Sequence, residues 1–121
     1  MAKSKREAAK DTRIYAEKER LAELFANLPV DRLKLADKLI DRAAFMLATL
    51  EEYESLVNRD GGIVEMRQGT YVIDREHPAA KAYNAMIKNY QLVIKQLVEL
   101  LPDKEAAEIT EELREFIDGA R

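Results

Sequence analysis

Apolar residues recur at helical spacing through segment 31–59 and predict a long amphipathic helix. They occupy three heptad positions on one face of the helix: Leu33, Ile40 and Leu47; Ala36, Ala43, Leu50 and Val57; Leu39, Met46 and Tyr53. A seam of this width is typical of a helical bundle or packed hairpin, because a two-stranded coiled coil buries a narrower stripe. Asp31 is the predicted N-cap of this helix. Gly61-Gly62 is its predicted end, since glycine permits a left-handed exit.

The same periodicity returns in segment 78–101. Its apolar residues again fall on three adjacent heptad positions: Tyr83, Tyr90 and Leu97; Met86, Val93 and Leu100; Ile87, Ile94 and Leu101. Pro78 suits the first helical position, where its missing N–H would be unpaired in any case. Pro102 ends the helix. Two helices of similar length with a compact connection predict an antiparallel helical hairpin.

The connection itself, GGIVEMRQGTYVIDREHP, has the pattern of a β-hairpin. Two β-prone runs, Ile63–Arg67 and Thr70–Ile73, flank Gln68-Gly69, which we interpret as the two-residue turn. An isolated two-stranded hairpin is marginally stable in water. We therefore expect it to lean on the helices or to pair with a neighbouring subunit.

Two further helices are predicted at the ends of the chain. Segment 5–27 is rich in strong helix formers, but its apolar residues gather in the C-terminal half, so its first turns are expected to fray. Segment 103–118, capped by Asp103, has a narrow apolar face. The predicted fold is therefore mainly α, a long antiparallel helical hairpin with N- and C-terminal helices. Its predicted parts are a basic N-terminal arm and helix (1–28), an oligomerisation core with a β-hairpin near 63–73 (29–102), and an acidic C-terminal helix (103–121).

Composition limits the class of protein. A chain of 121 residues suits one domain. It is 47% hydrophobic but only 7% aromatic, and small cores of this kind are often completed by oligomerisation. The absence of cysteine excludes disulfides and thiolate metal sites. No apolar run approaches the ~18 residues of a membrane span, so we expect a soluble protein of the cytoplasm.

The ends of the chain differ in charge. Residues 1–20 hold seven bases and four acids, whereas residues 103–121 hold seven acids and three bases. The N-terminal bases are the candidate DNA-binding residues: Lys3, Lys5, Arg6, Lys10, Arg13, Lys18 and Arg20. Repeated in an oligomer, they would hold DNA phosphates through counterion release. The alternative is that both ends are solvated helix faces that attract each other between subunits.

Candidate chemistry is sparse. His77 is the single histidine, and a catalytic or metal-binding histidine needs partners that the sequence does not supply, so we interpret it as a capping or turn residue. The acid pairs Glu51-Glu52 and Glu111-Glu112 are sequence neighbours and point about 100° apart on a helix. Gly61-Gly62 does not belong to a phosphate-binding loop, because neither the GxxxxGK[ST] motif nor the GxGxxG motif surrounds it. The sequence predicts no enzyme, cofactor or metal site.

The apolar faces of the two long helices are wider than one hairpin can cover, which predicts assembly into an oligomer. The candidate oligomerisation residues are Leu39, Met46, Leu50, Tyr53, Tyr83, Met86, Tyr90 and Val93. Tyr83 and Tyr90 would alternatively stack on nucleic-acid bases, but core packing is the favoured interpretation.

The order of features resembles short small-terminase subunits of tailed double-stranded DNA phages. The resemblance rests on LKLADKLIDRAAFMLATLEEYE at 33–54, on the glycine-bearing hairpin, and on HPAAKAYNAMIKNYQLVIKQLVELLP at 77–102. The His-Pro-Ala start, Tyr-Asn-x-Met-Ile-x-x-Tyr and the Lys-Gln-Leu-x-x-Leu-Leu-Pro end look like that family's central signature. The motif consists of packing residues and contains no catalytic group.

The resemblance implies a non-catalytic protein that forms a ring, recognises the packaging start site on viral DNA and hands the DNA to a large subunit with ATPase and nuclease activities. The helical hairpin would form the wall of the ring. Many small terminases carry an N-terminal helix-turn-helix, for which the segment before residue 31 is too short. The alternative from another class is a helical adaptor or regulator that dimerises and binds only protein.

Overall fold

The computed structural model describes residues 3–102 and 110–114. Its elements, in chain order, are α1 (Lys5–Leu24), α2 (Val30–Asp60), β1 (Ile63–Gln68), β2 (Tyr71–Glu76) and α3 (Pro78–Glu99). Residues 110–114 are also helical. The mainly helical fold is confirmed, with a two-stranded antiparallel hairpin between the two long helices.

Helices α2 and α3 pack antiparallel, as the matching apolar stripes predict. Arg32, in the first turn of α2, donates from Nη1 to the Leu100 carbonyl just beyond α3, at 3.0 Å. At the other end, the Tyr83 hydroxyl donates to Glu54 Oε1 at 3.3 Å. Polar contacts therefore join α2 to α3 near both ends of the helical hairpin.

Helix α1 also runs antiparallel to α2, on a second face of that helix. Lys10 Nζ lies 2.6 Å from Glu52 Oε1, and Lys18 Nζ lies 3.3 Å from Asp41 Oδ1. Between these two pairs α2 carries the buried residues Ala44 and Ala48. Their small side chains allow close approach of a neighbouring helix. The heptad pattern did not predict this second face, because two alanines add little to an apolar stripe.

The start of α1 departs from the prediction. Ser4 caps the helix, because its hydroxyl accepts a hydrogen bond from the Glu7 N–H at 3.1 Å. The first turn is therefore formed, and the expectation that it frays was wrong. The helix ends at Leu24, before the predicted residue 27, and a turn then brings Phe25 and Leu28 into the core.

The start of α2 also differs. The helix begins at Val30 with Pro29 as its N-cap, and among the described residues no side chain caps it. Pro29 adopts an extended conformation and its carbonyl accepts from the Leu33 N–H at 2.8 Å. Asp31, the predicted cap, lies inside the first turn, where a carboxylate suits the positive end of the helix dipole. The predicted glycine exit is confirmed: Gly61 has a φ of +86° and donates to the Val57 carbonyl.

The turn of the β-hairpin is shifted by one residue from the prediction. Gln68 is the register partner of Tyr71, so the two turn residues are Gly69 and Thr70. Gly69 has a φ of +61°, and Thr70 is not among the residues with positive φ. Glycine at the first central position is the pattern of a type II′ turn, which matches the twist of the strands. Strand β1 therefore extends to Gln68, whereas β2 begins at Tyr71, one residue later than predicted, and runs on to Glu76.

The core lies where α1 ends, α2 begins and α3 ends. Leu21 and Phe25 pack there with Ile40, Leu97 and Leu101. Leu113, in the helical residues 110–114, is buried in the same cluster. The predicted cap Asp103 and most of the predicted helix 103–118 lie outside the described residues.

Candidate functional site

The predicted DNA-binding bases line α1, and most of them are engaged within the chain. The ion pairs are Lys3 with Asp11, Arg6 and Lys10 with Glu52, Lys18 with Asp41, and Arg20 with Glu17. Burial raises the pKa of Glu51, and the charge of Arg13 opposes that shift, so Arg13 also acts on an acid of this chain. Lys5 is exposed in the first turn of the helix. The structure therefore gathers six of these seven bases on α1, with Lys3 just before it, but places acids beside them.

Two aromatic residues contact charged side chains of α1, and one of these contacts joins α1 to α2. Lys10 Nζ lies 4.8 Å from the centroid of the Phe45 ring on α2, within the range of a cation–π interaction. Tyr15, the aromatic residue among the bases, is exposed, and a hydrogen bond to Glu19 raises the pKa of its hydroxyl. Both aromatic groups thus contact charged side chains of this chain.

A charged seam lies where α1 meets the other two helices. Glu17 is buried and accepts a hydrogen bond from Arg20 Nε at 3.1 Å. Burial raises the pKa of Tyr90 on α3 to about 12, and the charge of Glu17 adds to this shift. Burial also raises the pKa of Glu51 on α2, against the opposing effect of Arg13. The Tyr90 side chain is 3% exposed and packs in the core cluster, so its ring is not available as a platform for bases.

His77 closes the joint between α2, the β-hairpin and α3. Its Nδ1 accepts the Ala79 N–H at 2.9 Å, which confirms the predicted capping role. The proton of the neutral ring is therefore on Nε2, which lies 2.9 Å from Asp60 Oδ2 and donates to it. Hydrogen bonds from Arg59 and then His77 hold the pKa of Asp60 well below its usual range.

This geometry leaves His77 no ring nitrogen for a metal or a substrate. Both nitrogens are engaged, and the side chain is buried. Within residues 3–102 and 110–114, no three histidine, aspartate or glutamate side chains are grouped to hold a metal ion. No helix in the described part of the chain is long and apolar enough to cross a membrane.

The predicted oligomerisation residues divide into two groups. Leu50, Tyr90 and Val93 are buried in the chain's own core, so they have little surface left for a second copy. The other five are half-buried along the contact between α2 and α3: Leu39, Met46, Tyr53, Tyr83 and Met86. Tyr53 and Tyr83 line an open cleft between the two helices, near the β-hairpin.

The β-hairpin carries exposed apolar residues that the sequence analysis did not select. One face presents Val64, Met66, Tyr71 and Ile73 together with Gln68 and Arg75, and the other carries Ile63, Glu65, Arg67, Val72, Asp74 and Glu76. On the first face Val64 and Met66 are half-buried, and Gln68 Nε2 and Arg75 Nη1 each donate to Met66 Sδ at 3.1 Å. Every residue of β2 is exposed, Tyr71 at 64%. The alternation in Val64-Glu65-Met66-Arg67 was the signal that could have identified the apolar face, because successive residues of a strand point to opposite sides.

Comparison with protein families, with curated proteins and with solved structures gives no match for this chain. The resemblance to small terminase subunits therefore stays a prediction from the residues quoted for it.

Proposed function

We propose that this protein is a non-catalytic DNA-packaging component of the small-terminase type. In this proposal it oligomerises, binds viral DNA and presents the DNA to a large ATPase and nuclease subunit. The observation that carries the proposal is the β-hairpin, whose mainly apolar face is half-buried at Val64 and Met66 on β1 and exposed at Tyr71 and Ile73 on β2. The resemblance of residues 33–54 and 77–102 to that family supports the same function.

The uncovered hairpin supports assembly on physical grounds. A two-stranded hairpin exposed on both faces is marginal in water, and its outer strand edges offer unpaired backbone groups to another chain. Met66 and Ile73 are direct cross-strand partners on the apolar face. A second copy that covers this face would remove their side chains from water and stabilise the hairpin. The half-buried residues along α2 and α3 would extend the same interface.

The engagement of His77 supports the non-catalytic part of the proposal. A general base needs one ring nitrogen free to accept a proton from a substrate, and both nitrogens of His77 are used in the joint. The protein would act by binding and placing other molecules. A ring of copies holds the DNA, and the acid-rich segment 103–121 contacts the large subunit.

The first experiment is the mass of the full chain in solution. Light scattering and native mass spectrometry at micromolar concentration should give a closed oligomer of more than two copies. Pull-down with a large terminase subunit from the same genome should then recover a complex. A monomer at these concentrations would contradict the proposal.

A dimeric adaptor that binds only protein is the second candidate, and the ion pairs of α1 favour it. Bases paired with acids of the same chain present little net charge to DNA. Two measurements separate the candidates: the adaptor predicts a dimer and no salt-dependent DNA binding, whereas the packaging component predicts a larger oligomer that binds DNA.

A further inference from the structure

The outer face of α3 carries a line of three lysines. Lys81, Lys88 and Lys95 follow one another at seven-residue steps and are all exposed. Seven residues are close to two helical turns, so the three side chains lie along one side of the helix, about 10.5 Å apart. Tyr90, Val93 and Leu97 are buried on the opposite side. The line therefore points away from the bundle.

The charge of this face is not balanced by acids. Glu99, at the last position of α3, is the single acid of the helix. Among the described residues, the ion pairs involve none of the three lysines. Helix α1 differs: it has six bases and five acids, and most of its bases are paired. The more basic helix surface is therefore on α3, although the sequence shows more lysines and arginines at the N-terminus.

The residues between the lysines are neutral. Ala85 and Leu92 lie in the line, and Asn84 and Gln91 lie beside it, all of them exposed. Asparagine and glutamine amides donate hydrogen bonds to phosphate oxygens, and lysine supplies a compact positive charge. Within α3, this face has three cations, two amides and no acid before Glu99, which is complementary to a row of phosphates. Acids of other elements lie only at its margins, Glu76 in a cleft with Lys81 and Glu54 in a cleft with Asn84.

We propose that this α3 face, defined by Lys81, Lys88 and Lys95, holds duplex DNA by its phosphate backbone. The proposal rests on the proposed function and names its DNA-contacting surface. A phosphate placed at Lys10 or Lys18 would also meet Glu52 or Asp41. On the α3 face, Glu76 lines an open cleft with Lys81, but Arg75 in the same cleft offsets its charge. The contact positions the duplex without reading its sequence, since lysines on phosphates carry no base information.

Two triple variants of the full chain test this assignment. The test variant is Lys81→Gln, Lys88→Gln and Lys95→Gln. The matched control is Lys3→Gln, Lys10→Gln and Lys18→Gln, which removes the same charge from paired positions on or beside α1. Fluorescence anisotropy of a labelled duplex, titrated at several salt concentrations, gives the slope of log Kobs against log salt for each protein.

The test variant should lose about 2.7 units of that slope for each subunit in contact, since each neutralised phosphate contributes about 0.9. Its affinity at low salt should fall by orders of magnitude, while the control keeps the wild-type slope. The assignment is overturned if the test variant keeps the wild-type slope, if the control loses as much, or if the wild-type protein does not bind the duplex.

The acidic segment 103–121 is the competing occupant of this face. Zero-length coupling of lysines to carboxylates, in the DNA-free protein, should leave the three lysines unlinked to that segment; links to its acids would overturn the assignment. Light scattering on both variants separates the two proposals. A closed oligomer with lysine-independent DNA binding contradicts this face alone, whereas a monomer contradicts the proposed function.

Discussion

The helical bundle buries its apolar side chains, whereas the β-hairpin leaves many of its own exposed. In the bundle, Leu21, Phe25 and Leu97 are at most 1% exposed. In the hairpin, Tyr71, Val72 and Ile73 are all exposed, although the strands are paired over their full length. The bundle is therefore stabilised by contacts within one chain. The hairpin has its backbone hydrogen bonds but lacks a covering layer, which is the part that another copy can supply.

The joint between the two regions is polar. The His77 N–H donates to the Gly62 carbonyl at 2.8 Å, and the His77 ring links Asp60 to the first turn of α3. The start of the hairpin, its end and both adjoining helices meet at this residue. The molecule thus has three kinds of position, namely core, joint and exposed face, and substitutions at each should have different effects.

The largest effect is expected in the bundle core. Leu97→Ala should lower the free energy of unfolding by about 2–5 kcal/mol, because it removes a fully buried side chain and leaves a cavity. Urea unfolding measures the loss. Leu92→Ala is the control: it makes the same chemical change on the same helix at a residue that is 57% exposed, and it should alter stability by no more than about 0.5 kcal/mol. Similar losses in the two variants would contradict the core assignment.

An intermediate effect is expected at the joint. His77→Ala removes the N-cap of α3 and should cost about 0.5–2 kcal/mol. His77→Asn is the control, because asparagine is a good N-cap and should recover most of this loss. Thermal unfolding by circular dichroism compares the three proteins. If asparagine and alanine destabilise equally, the capping bond is not the source of the effect.

Asp60 gives the joint a pH dependence with a definite sign. Its pKa is lower in the folded chain than in the unfolded chain, because Arg59 and His77 stabilise the carboxylate. Its contribution to stability is therefore complete above the unfolded pKa of about 3.9 and is lost as pH falls through the folded pKa. Asp60→Asn should lower Tm at pH 7, and the difference from wild type should shrink below about pH 4. A Tm difference that does not change with pH would show that the Asp60 charge is not what stabilises the joint.

The hairpin face should affect assembly more than stability. Met66→Ser with Ile73→Ser changes two cross-strand partners on the apolar face. The bundle should unfold within about 0.5 kcal/mol of wild type, while light scattering should show a smaller assembly. Ile63→Ser with Val72→Ser is the control on the opposite face and should keep the wild-type mass. Loss of assembly in both variants would show that the hairpin fold, and not this face, is required.

The sequence predicted the helical bundle far better than its surfaces. Heptad spacing identified Ile40, Tyr90 and Leu97 as packing residues because large apolar side chains dominate a periodic pattern. Proline and glycine at 78 and 61 marked helix ends because their backbone restrictions are local. The buried alanines under α1 gave no such signal, since alanine occurs on exposed helix faces as well.

The candidate site was predicted less well, because charge counts do not show which bases have partners. Lys10 and Lys18 appeared available in the sequence, yet their partners Glu52 and Asp41 come from another helix. Lys81, Lys88 and Lys95, which we propose as DNA contacts, give no signal in the sequence because they are seven residues apart and form a line only on a helix. The DNA-binding assignment therefore depends on tertiary packing that the sequence analysis did not resolve.

The smallest effect is expected in the charged seam where α1 meets the other two helices, because the Glu51 side chain is only partly buried there. Burial raises the pKa of Glu51 above its value in an unfolded chain, so the folded state disfavours its charged form. Glu51→Gln should therefore stabilise the protein at pH 7, by no more than about 0.5 kcal/mol. The gain should disappear as pH falls below the unfolded pKa of about 4.3, because the glutamate is then protonated in both states. Thermal unfolding of the variant and the wild type from pH 7 to pH 4 measures this trend. Destabilisation at pH 7 would mean that Arg13 outweighs burial, and the seam would then be a stabilising ion pair.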